Sequence, residues 1–336
     1  MAAPLLQIKE LRVIFGGDRA EGHVLDGVSL EVHQGEAVGV VGESGCGKTT
    51  LALSILRLLP PAARVRAGAV LLEGVELLGL SESAMRRVRG KRIGMVFQEP
   101  ASALNPVLTI GEQVAEVARL HEGLNRRQAR ARASEALHEA GLASPERWAD
   151  AYPHQMSGGM RQRAVLAMAL AGHPALLLAD EPTTALDPTV EAQVLALLGR
   201  LRKERGLAVL LISHDFLTVS ELCDRVVVLY AGQVVEQGPA RVVFEKPRHP
   251  YSRALLDCLP DESAQGALRH RSRLRVIPGA SPEVASVAEG CRFANRCARG
   301  DARCRTSAPQ LQEVAEAHRV RCFRPLDEVA QDKGRP

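Results

Sequence analysis

Gly42-Glu43-Ser44-Gly45-Cys46-Gly47-Lys48-Thr49 follows the continuous apolar run Ala37–Val41 and opens the helix-like run Lys48–Leu59, which Pro60-Pro61 stops. The spacing is G-x-x-x-x-G-K-[ST]. A polyphosphate is dense with negative charge, so such a loop needs glycines that let backbone N–H groups converge on it. The following helix N-terminus adds a favourable dipole, Lys48 reaches the β- and γ-phosphates, and the Thr49 hydroxyl can ligate Mg²⁺, with Thr50 beside it. Cys46 sits at a variable position of the loop and reads as a small filler, not a nucleophile.

The second diagnostic stretch is Ala175-Leu176-Leu177-Leu178-Ala179-Asp180-Glu181, an apolar strand ending in two carboxylates. Asp180 is placed to hold Mg²⁺ through water and Glu181 to polarise an attacking water. Paired with the phosphate loop, the two acids define a nucleotide hydrolase.

Around these motifs the chain reads as α/β. Strands are expected at Leu6–Phe15, His23–Val32, Ala37–Val41, Ala69–Leu72, Arg92–Phe97, Ala175–Ala179, Leu207–Ile212 and Arg225–Tyr230, with a helix over Thr189–Glu204. Strand signals vanish from about Gly111 to Ala171, where Ala, Glu, Arg and Gln dominate, so a helical insert interrupts the alternation. The pattern predicts a mostly parallel sheet with helices on both faces, preceded by antiparallel N-terminal strands. Past Gly238, prolines and four clustered cysteines mark a small appended region.

Composition sets the limits. The 336 residues are 46% hydrophobic, 24% charged and 3% aromatic, enough apolar material for a large core. Lys plus Arg is 43 against 39 acidic residues, a net charge of +4 that gives no argument for nucleic-acid binding. No apolar stretch is long enough for a membrane span, and Lys9 and Arg12 interrupt the N-terminus where a signal peptide needs its apolar stretch. A soluble, cytoplasmic protein is expected, reaching a membrane only through partners.

Three further segments narrow the family. Gln98 ends a strand before Glu99-Pro100, Ser157-Gly158-Gly159-Met160 precedes Arg161-Gln162-Arg163 and an apolar helix, and His214 follows a strand in Ile-Ser-His-Asp. With these in order after the phosphate loop, residues 5–240 resemble the ATP-binding subunits of ABC transporters, P-loop NTPases. Phe97–Pro106, Tyr152-Pro153-His154-Gln155, His249-Pro250-Tyr251 and Gly290-Cys291-Arg292-Phe293…Arg296-Cys297 look like the oligopeptide/dipeptide/nickel importer branch. The resemblance then covers nearly the whole chain: an ABC ATPase domain over 1–240, its helical subdomain over about 100–171, and a C-terminal extension over 241–336.

The resemblance implies a head-to-tail dimer with ATP between the phosphate loop of one subunit and the Ser157, Gly158 and Gly159 signature of its partner. Gln98 is then expected to sense Mg²⁺ and the attacking water, His214 to contact the γ-phosphate, and Asp187 to lie in the loop across the dimer seam. Phe15 stands where a family aromatic stacks on adenine, or it closes its strand against the core. The signature departs from the commonest pattern, with Met156 for Leu and Met160 for Gln. The Ser-Gly-Gly-Met-Arg-Gln-Arg form is similar to one of two paralogous ATPases in such importers, which implies a heterodimer. Two permease subunits would anchor it at the cytoplasmic face of the membrane, and a binding protein would feed them. Peptides are the expected solute, with nickel chelates and glutathione as alternatives; a soluble ABC protein acting on nucleic acid is the rival reading, which the lack of a coiled-coil insert or second cassette opposes.

In the tail, Cys291, Cys297, Cys304 and Cys322 are spaced C-x5-C-x6-C-x17-C, wider than zinc knuckles. Eight arginines against three acidic residues between Cys291 and Arg324 suit an anionic group. A [4Fe–4S] cluster, as in similar tails of this branch, Zn²⁺, or no metal are the three readings, the first preferred. Serine at Cys297 or Cys304 is expected to spare nucleotide binding at Lys48, far away in sequence. The basic run Arg269–Arg275 reads as a solvated linker face, or one that touches acidic lipid headgroups or nucleic acid.

Overall fold

A computed structural model describes residues 3–16, 22–184, 186–259, 276–280, 282 and 289–327. The run 269–275 lies outside them. Strands β1 (Leu6–Phe15), β2 (Gly22–Val32), β4 (Ala63–Leu72) and β5 (Val75–Glu76) form an antiparallel sheet in the order β2-β1-β4-β5. The eight-stranded sheet contains β3 (Ala37–Val41), β6 (Ile93–Val96), β7 (Leu176–Asp180), β8 (Ala208–Ile212), β9 (Arg225–Tyr230), β10 (Gln233–Pro239), β11 (Gln312–Ala315) and β12 (His318–Val320). Its order is β11-β12-β10-β9-β3-β8-β7-β6. The five strands from β9 to β6 run parallel, and β10, β12 and β11 add antiparallel neighbours.

The unbroken apolar runs of β3, β7 and β8 belong to strands buried on both faces. Successive side chains point to opposite faces, and the two cores divide accordingly. Ala37, Val41, Leu177, Ala179, Val209 and Leu211 face one core; Val38, Val40, Leu176, Leu178, Leu210 and Ile212 face the other. Helix α1 (Lys48–Ile55) packs into the second core through Leu51, Ala52 and Ile55, beside the antiparallel sheet and α2 (Glu82–Val88).

The insert is helical as expected: α3 (Pro100–Ala103), α4 (Ile110–Glu122), α5 (Arg126–Glu139), α6 (Pro145–Ala149) and α7 (Gly158–Leu170). Reciprocal capping by Thr109 with Glu112 and by Asn125 with Gln128 fixes the starts of α4 and α5. Ala118, Ala129, Ala133 and Ala136 let these helices pack closely. The parallel sheet is completed by α8 (Pro188–Arg205) and α9 (Phe216–Leu222), followed by α10 (Ala240–Glu245), α11 (Pro250–Asp257) and, in the tail, α12 (Ala302–Thr306).

Beyond β5, β10, β11 and β12, which the sequence reading did not place, three features differ from it. Helix α1 stops at Ile55, one turn short of the expected Leu59, where the chain turns towards Pro60. Strand β4 begins six residues earlier than expected, because Arg64 and Arg66 mask its period while β1 pairs with it down to Ala63. The tail does not stand apart from the cassette. Strand β12 pairs with β10 through Glu236–Val320 and Gln237–Arg319, extending the main sheet. Among the described residues no helix is long and apolar enough to cross a membrane.

Candidate nucleotide site and cysteine module

The phosphate loop leaves the C-terminal end of the central strand β3 and enters α1 at Lys48. Its glycines answer to specific crowding. A Cβ on Gly42 would lie 2.1 Å from the Leu229 carbonyl oxygen, and Gly47 has φ 107°, with Val24 O 2.9 Å from where a Cβ would stand. Ser44, Gly45 and Thr49 are exposed, so the loop opens to solvent. Lys48 is buried and folds back over the loop, donating to the carbonyls of Gly42 at 2.7 Å and Glu43 at 3.0 Å. Cys46 is buried behind the loop, its thiol pushed up chiefly by burial, which fits the filler reading.

Asp180 and Glu181 end β7 beside the loop. Asp180 is buried, receives a hydrogen bond from the Thr49 side chain, and keeps its Oδ1 without a partner. Burial is the main cause that raises its pKa, with Thr49 and Lys48 opposing. A buried carboxylate oxygen that nothing satisfies, next to a hydroxyl, is a donor set that fits Mg²⁺.

Glu181 collects the other expected residues. Its Oε2 accepts from Gln98 Nε2 at 3.0 Å and from Thr184 Oγ1 at 3.0 Å, and its Oε1 lies 3.3 Å from His214 Nδ1. Glu181 itself has φ 47°, a left-handed conformation that a non-glycine residue holds only when its surroundings over-determine it. Gln98 arrives from the end of β6 and His214 from the end of β8, so three neighbouring parallel strands deliver the cluster at one edge.

Phe15, at the end of β1, is 42% exposed, so it is available for stacking and does not close the core. Ser157 caps α7, its Oγ accepting from Met160 N–H at 3.4 Å, and Ser157 and Gly158 are exposed. Met156 is buried and Met160 packs against the same core, which accounts for sulfur-bearing apolar chains in place of the usual residues. Asp187 caps α8 by accepting from Val190 N–H at 3.0 Å. Sequence reasoning missed Thr184, Tyr251 and Gln162; the last is buried and donates to the Pro182 carbonyl, tying α7 to the segment after Glu181.

The four tail cysteines converge. Cys291, Cys297, Cys304 and Cys322 line one small cavity together with Phe293 and Arg324. Burial raises the thiols of Cys291, Cys297 and Cys322, the last to about 11, and neighbouring thiols add to each shift. Among the described residues no group of three or more His, Cys, Asp or Glu is arranged to hold a metal ion. Phe293 is buried against Tyr230 at 5.2 Å and Tyr251 at 5.3 Å between ring centroids, while the Arg303 guanidinium lies 4.0 Å over the Phe323 ring. This module reaches the phosphate loop through Arg296, whose guanidinium pairs with Glu43. Residues of the tail and the nucleotide loop, far apart in sequence, are therefore in contact.

Comparison with known proteins agrees with this geometry. Residues 25–184 match the ABC transporter family, and residues 235–304 match the oligopeptide/dipeptide transporter, C-terminal region. The chain is 47% identical, over 95% of both chains, to a probable peptide ABC transporter ATP-binding protein, y4tR, of Sinorhizobium fredii. It is 42% identical to the dipeptide transport ATP-binding protein DppD of Escherichia coli, over 99% of each. Among solved structures, the ATP-binding cassette MJ0796, a dimer in a post-hydrolysis state bound to ADP and Pi, superposes with a TM-score of 0.64 at 31% identity, covering 70% of this chain and 99% of that one. A loop built for polyphosphate, a strand-end carboxylate pair beside it and these full-length likenesses place the chain in the family of ATP-binding subunits of ABC transporters, with the oligopeptide/dipeptide transporter C-terminal region.

Proposed function

We propose that this ATPase energises the import of peptides, docked on two membrane-spanning permeases at the cytoplasmic face and paired with a paralogous ATPase subunit. The observation that carries the reading is full-length likeness to peptide and dipeptide transport ATP-binding proteins, C-terminal region included. Nickel chelates and glutathione are the neighbouring solute classes.

In this reading the loop from Gly42 to Thr50 wraps the phosphates, with Lys48 swinging from its carbonyl partners to the β- and γ-phosphates. Thr49, Asp180 and Gln98 would hold Mg²⁺, which would supply charge neutralisation on the phosphate oxygens. Glu181, fixed by Gln98 and Thr184, polarises the water that attacks the γ-phosphorus. The bond from phosphorus to the bridging oxygen breaks, giving ADP and inorganic phosphate, while His214 steadies the γ-phosphate. Phe15 stacks on adenine. The Ser157–Gly159 cap, exposed at Ser157 and Gly158, serves the partner's nucleotide, offering a hydroxyl and a helix N-terminus, and Asp187 lies at the seam.

For the tail we propose a [4Fe–4S] cluster on Cys291, Cys297, Cys304 and Cys322. Four thiols lining one small cavity fit its donor set. A cubane takes each thiolate on a different iron, which suits ligands as widely spaced in sequence as these four. The cluster would cross-link a segment too small to bury much core of its own.

The test is reconstitution with its permeases and binding protein in liposomes, with iron and acid-labile sulfide measured on the anaerobic sample. Peptide-stimulated ATP hydrolysis and about four irons per chain are expected. Stimulation only by a nickel chelate or glutathione would move the solute, and a folded anaerobic sample without iron would end the cluster.

A further inference from the structure

Glu43 places a carboxylate in a loop that must receive a polyanion, and its charge repels what the loop attracts. The structure answers with Arg296. Nη1 donates to Glu43 Oε2 at 2.6 Å and Nη2 to Oε1 at 2.9 Å, a bidentate pair whose arginine side chain is almost wholly buried. Arg296 is itself fixed: Nε donates to the Pro278 carbonyl at 2.9 Å, and Nη1 also reaches the Tyr230 hydroxyl at 3.3 Å. The backbone N–H of Glu43 donates to the hydroxyl of the fully buried Tyr251 at 2.8 Å.

A second grip acts behind the loop. Gly232 N–H donates to the Cys46 carbonyl at 2.9 Å. Arg292 holds that same turn, bonding the Ala231 carbonyl and pairing with Asp26 at 2.6 Å. Arg292 and Arg296 flank Phe293, which packs on both Tyr230 and Tyr251. One short stretch of the tail therefore touches the loop's surroundings at two places.

We infer that Arg296 and Tyr251 are positioning residues for the phosphate loop, so that the C-terminal segment sets how tightly this chain binds ATP. A loop carrying Gly42, Gly45 and Gly47 has many accessible conformations, and only those with converged N–H groups bind phosphate. Apparent affinity falls in proportion to the population of that competent form. Arg296 raises the population by holding Glu43 aside and cancelling its charge. The chemistry at Glu181 is not involved, so the effect belongs in binding and not in turnover.

The experiment is fluorescent-ATP binding to the full chain, with steady-state hydrolysis by the assembled complex, for Arg296→Met, Arg296→Lys, Glu43→Gln and the Arg296→Met/Glu43→Gln pair. Arg296→Met is expected to weaken ATP binding roughly tenfold and raise KM alike, with kcat within about threefold. Arg296→Lys should recover part of the loss, and the double variant should bind no worse than Arg296→Met alone. If Arg296→Met fails to fold, Tyr251→Phe, which removes only the hydroxyl, should still weaken binding about threefold. Unchanged ATP affinity in folded Arg296→Met or Tyr251→Phe protein overturns the inference, as does a double variant whose losses simply add. The inference rests on residues 42–49 as the ATP loop. Native protein that does not bind ATP sinks that reading, whereas native binding indifferent to Arg296 sinks only this one.

Discussion

Replacing Glu181 by Gln isolates charge from geometry. Glu181 Oε2 accepts two hydrogen bonds, from Gln98 and Thr184, and Oε1 faces His214 Nδ1. A glutamine has one carbonyl oxygen with two lone pairs, so it can keep both Oε2 partners while its amide nitrogen faces the imidazole. The resting arrangement should therefore survive, and Asp180, Thr49 and Lys48 are untouched. What goes is the basic carboxylate, worth about 10²–10⁴ in rate for a positioned general base, or roughly 3–5 kcal/mol of barrier. Glu181→Gln should thus bind ATP within about twofold to threefold of native, while phosphate release by the assembled complex falls by about 10²–10⁴. Gln98→Ala provides the contrast: it deletes one of two donors to Oε2 and one proposed Mg²⁺ ligand but leaves the base in place, so it should slow turnover less than Glu181→Gln does. Measurements belong on the assembled complex, with the variant in the hydrolytically competent site. Turnover within about tenfold of native for Glu181→Gln would falsify its assignment as the base.

Phe293→Ala removes a buried ring that three aromatic neighbours enclose, a change worth about 3–5 kcal/mol. Hydrogen exchange should show residues 289–327 losing protection while β3, β7 and β8 keep theirs; uniform loss across the sheet would count against a locally stabilised module. Cys223 gives an alkaline signature. Burial beneath β3 pushes its thiol up to about 12 from an ordinary 9.0, so above the lower value the unfolded chain releases a proton that the native chain retains. Stability therefore falls as pH rises through that window, by about 1.3 kcal/mol between about pH 8 and pH 10. Cys223→Ala should lack this component in urea unfolding, and equal alkaline losses in both proteins would rule it out.

The parts of this molecule that were legible in its sequence are those whose meaning is local. The loop from Gly42 to Thr49 declares itself because phosphate binding needs glycines, a lysine and a hydroxyl within one turn of chain. The strand into Asp180 does so because a parallel strand buried on both faces must be continuously apolar. Gln98, Ser157 and His214 became legible only as an ordered set, since each alone is an ordinary polar residue. Strand β11 escaped notice because Gln312 and Glu313 are exposed at a sheet edge and carry no apolar period. Arg296 and Tyr251 escaped for another reason: their partner Glu43 is 253 and 208 residues away, and nothing near either residue specifies that contact. Thr184 was hidden in plain view, three residues from the carboxylate it holds.

The long reach from Glu43 to Arg296 also has a meaning in time. A ribosome adds roughly 5–20 residues each second, so the phosphate loop emerges on the order of 10–50 s before the arginine that holds its glutamate. Strand β10 likewise waits for β12, whose pairing residues are made later in the chain. A nascent cassette can fold its central strands early, yet the last shaping of its nucleotide loop belongs to residues made 253 positions after Glu43. Chains cut short before residue 296 would carry every motif needed to recognise ATP and still lack the contact that finishes the loop.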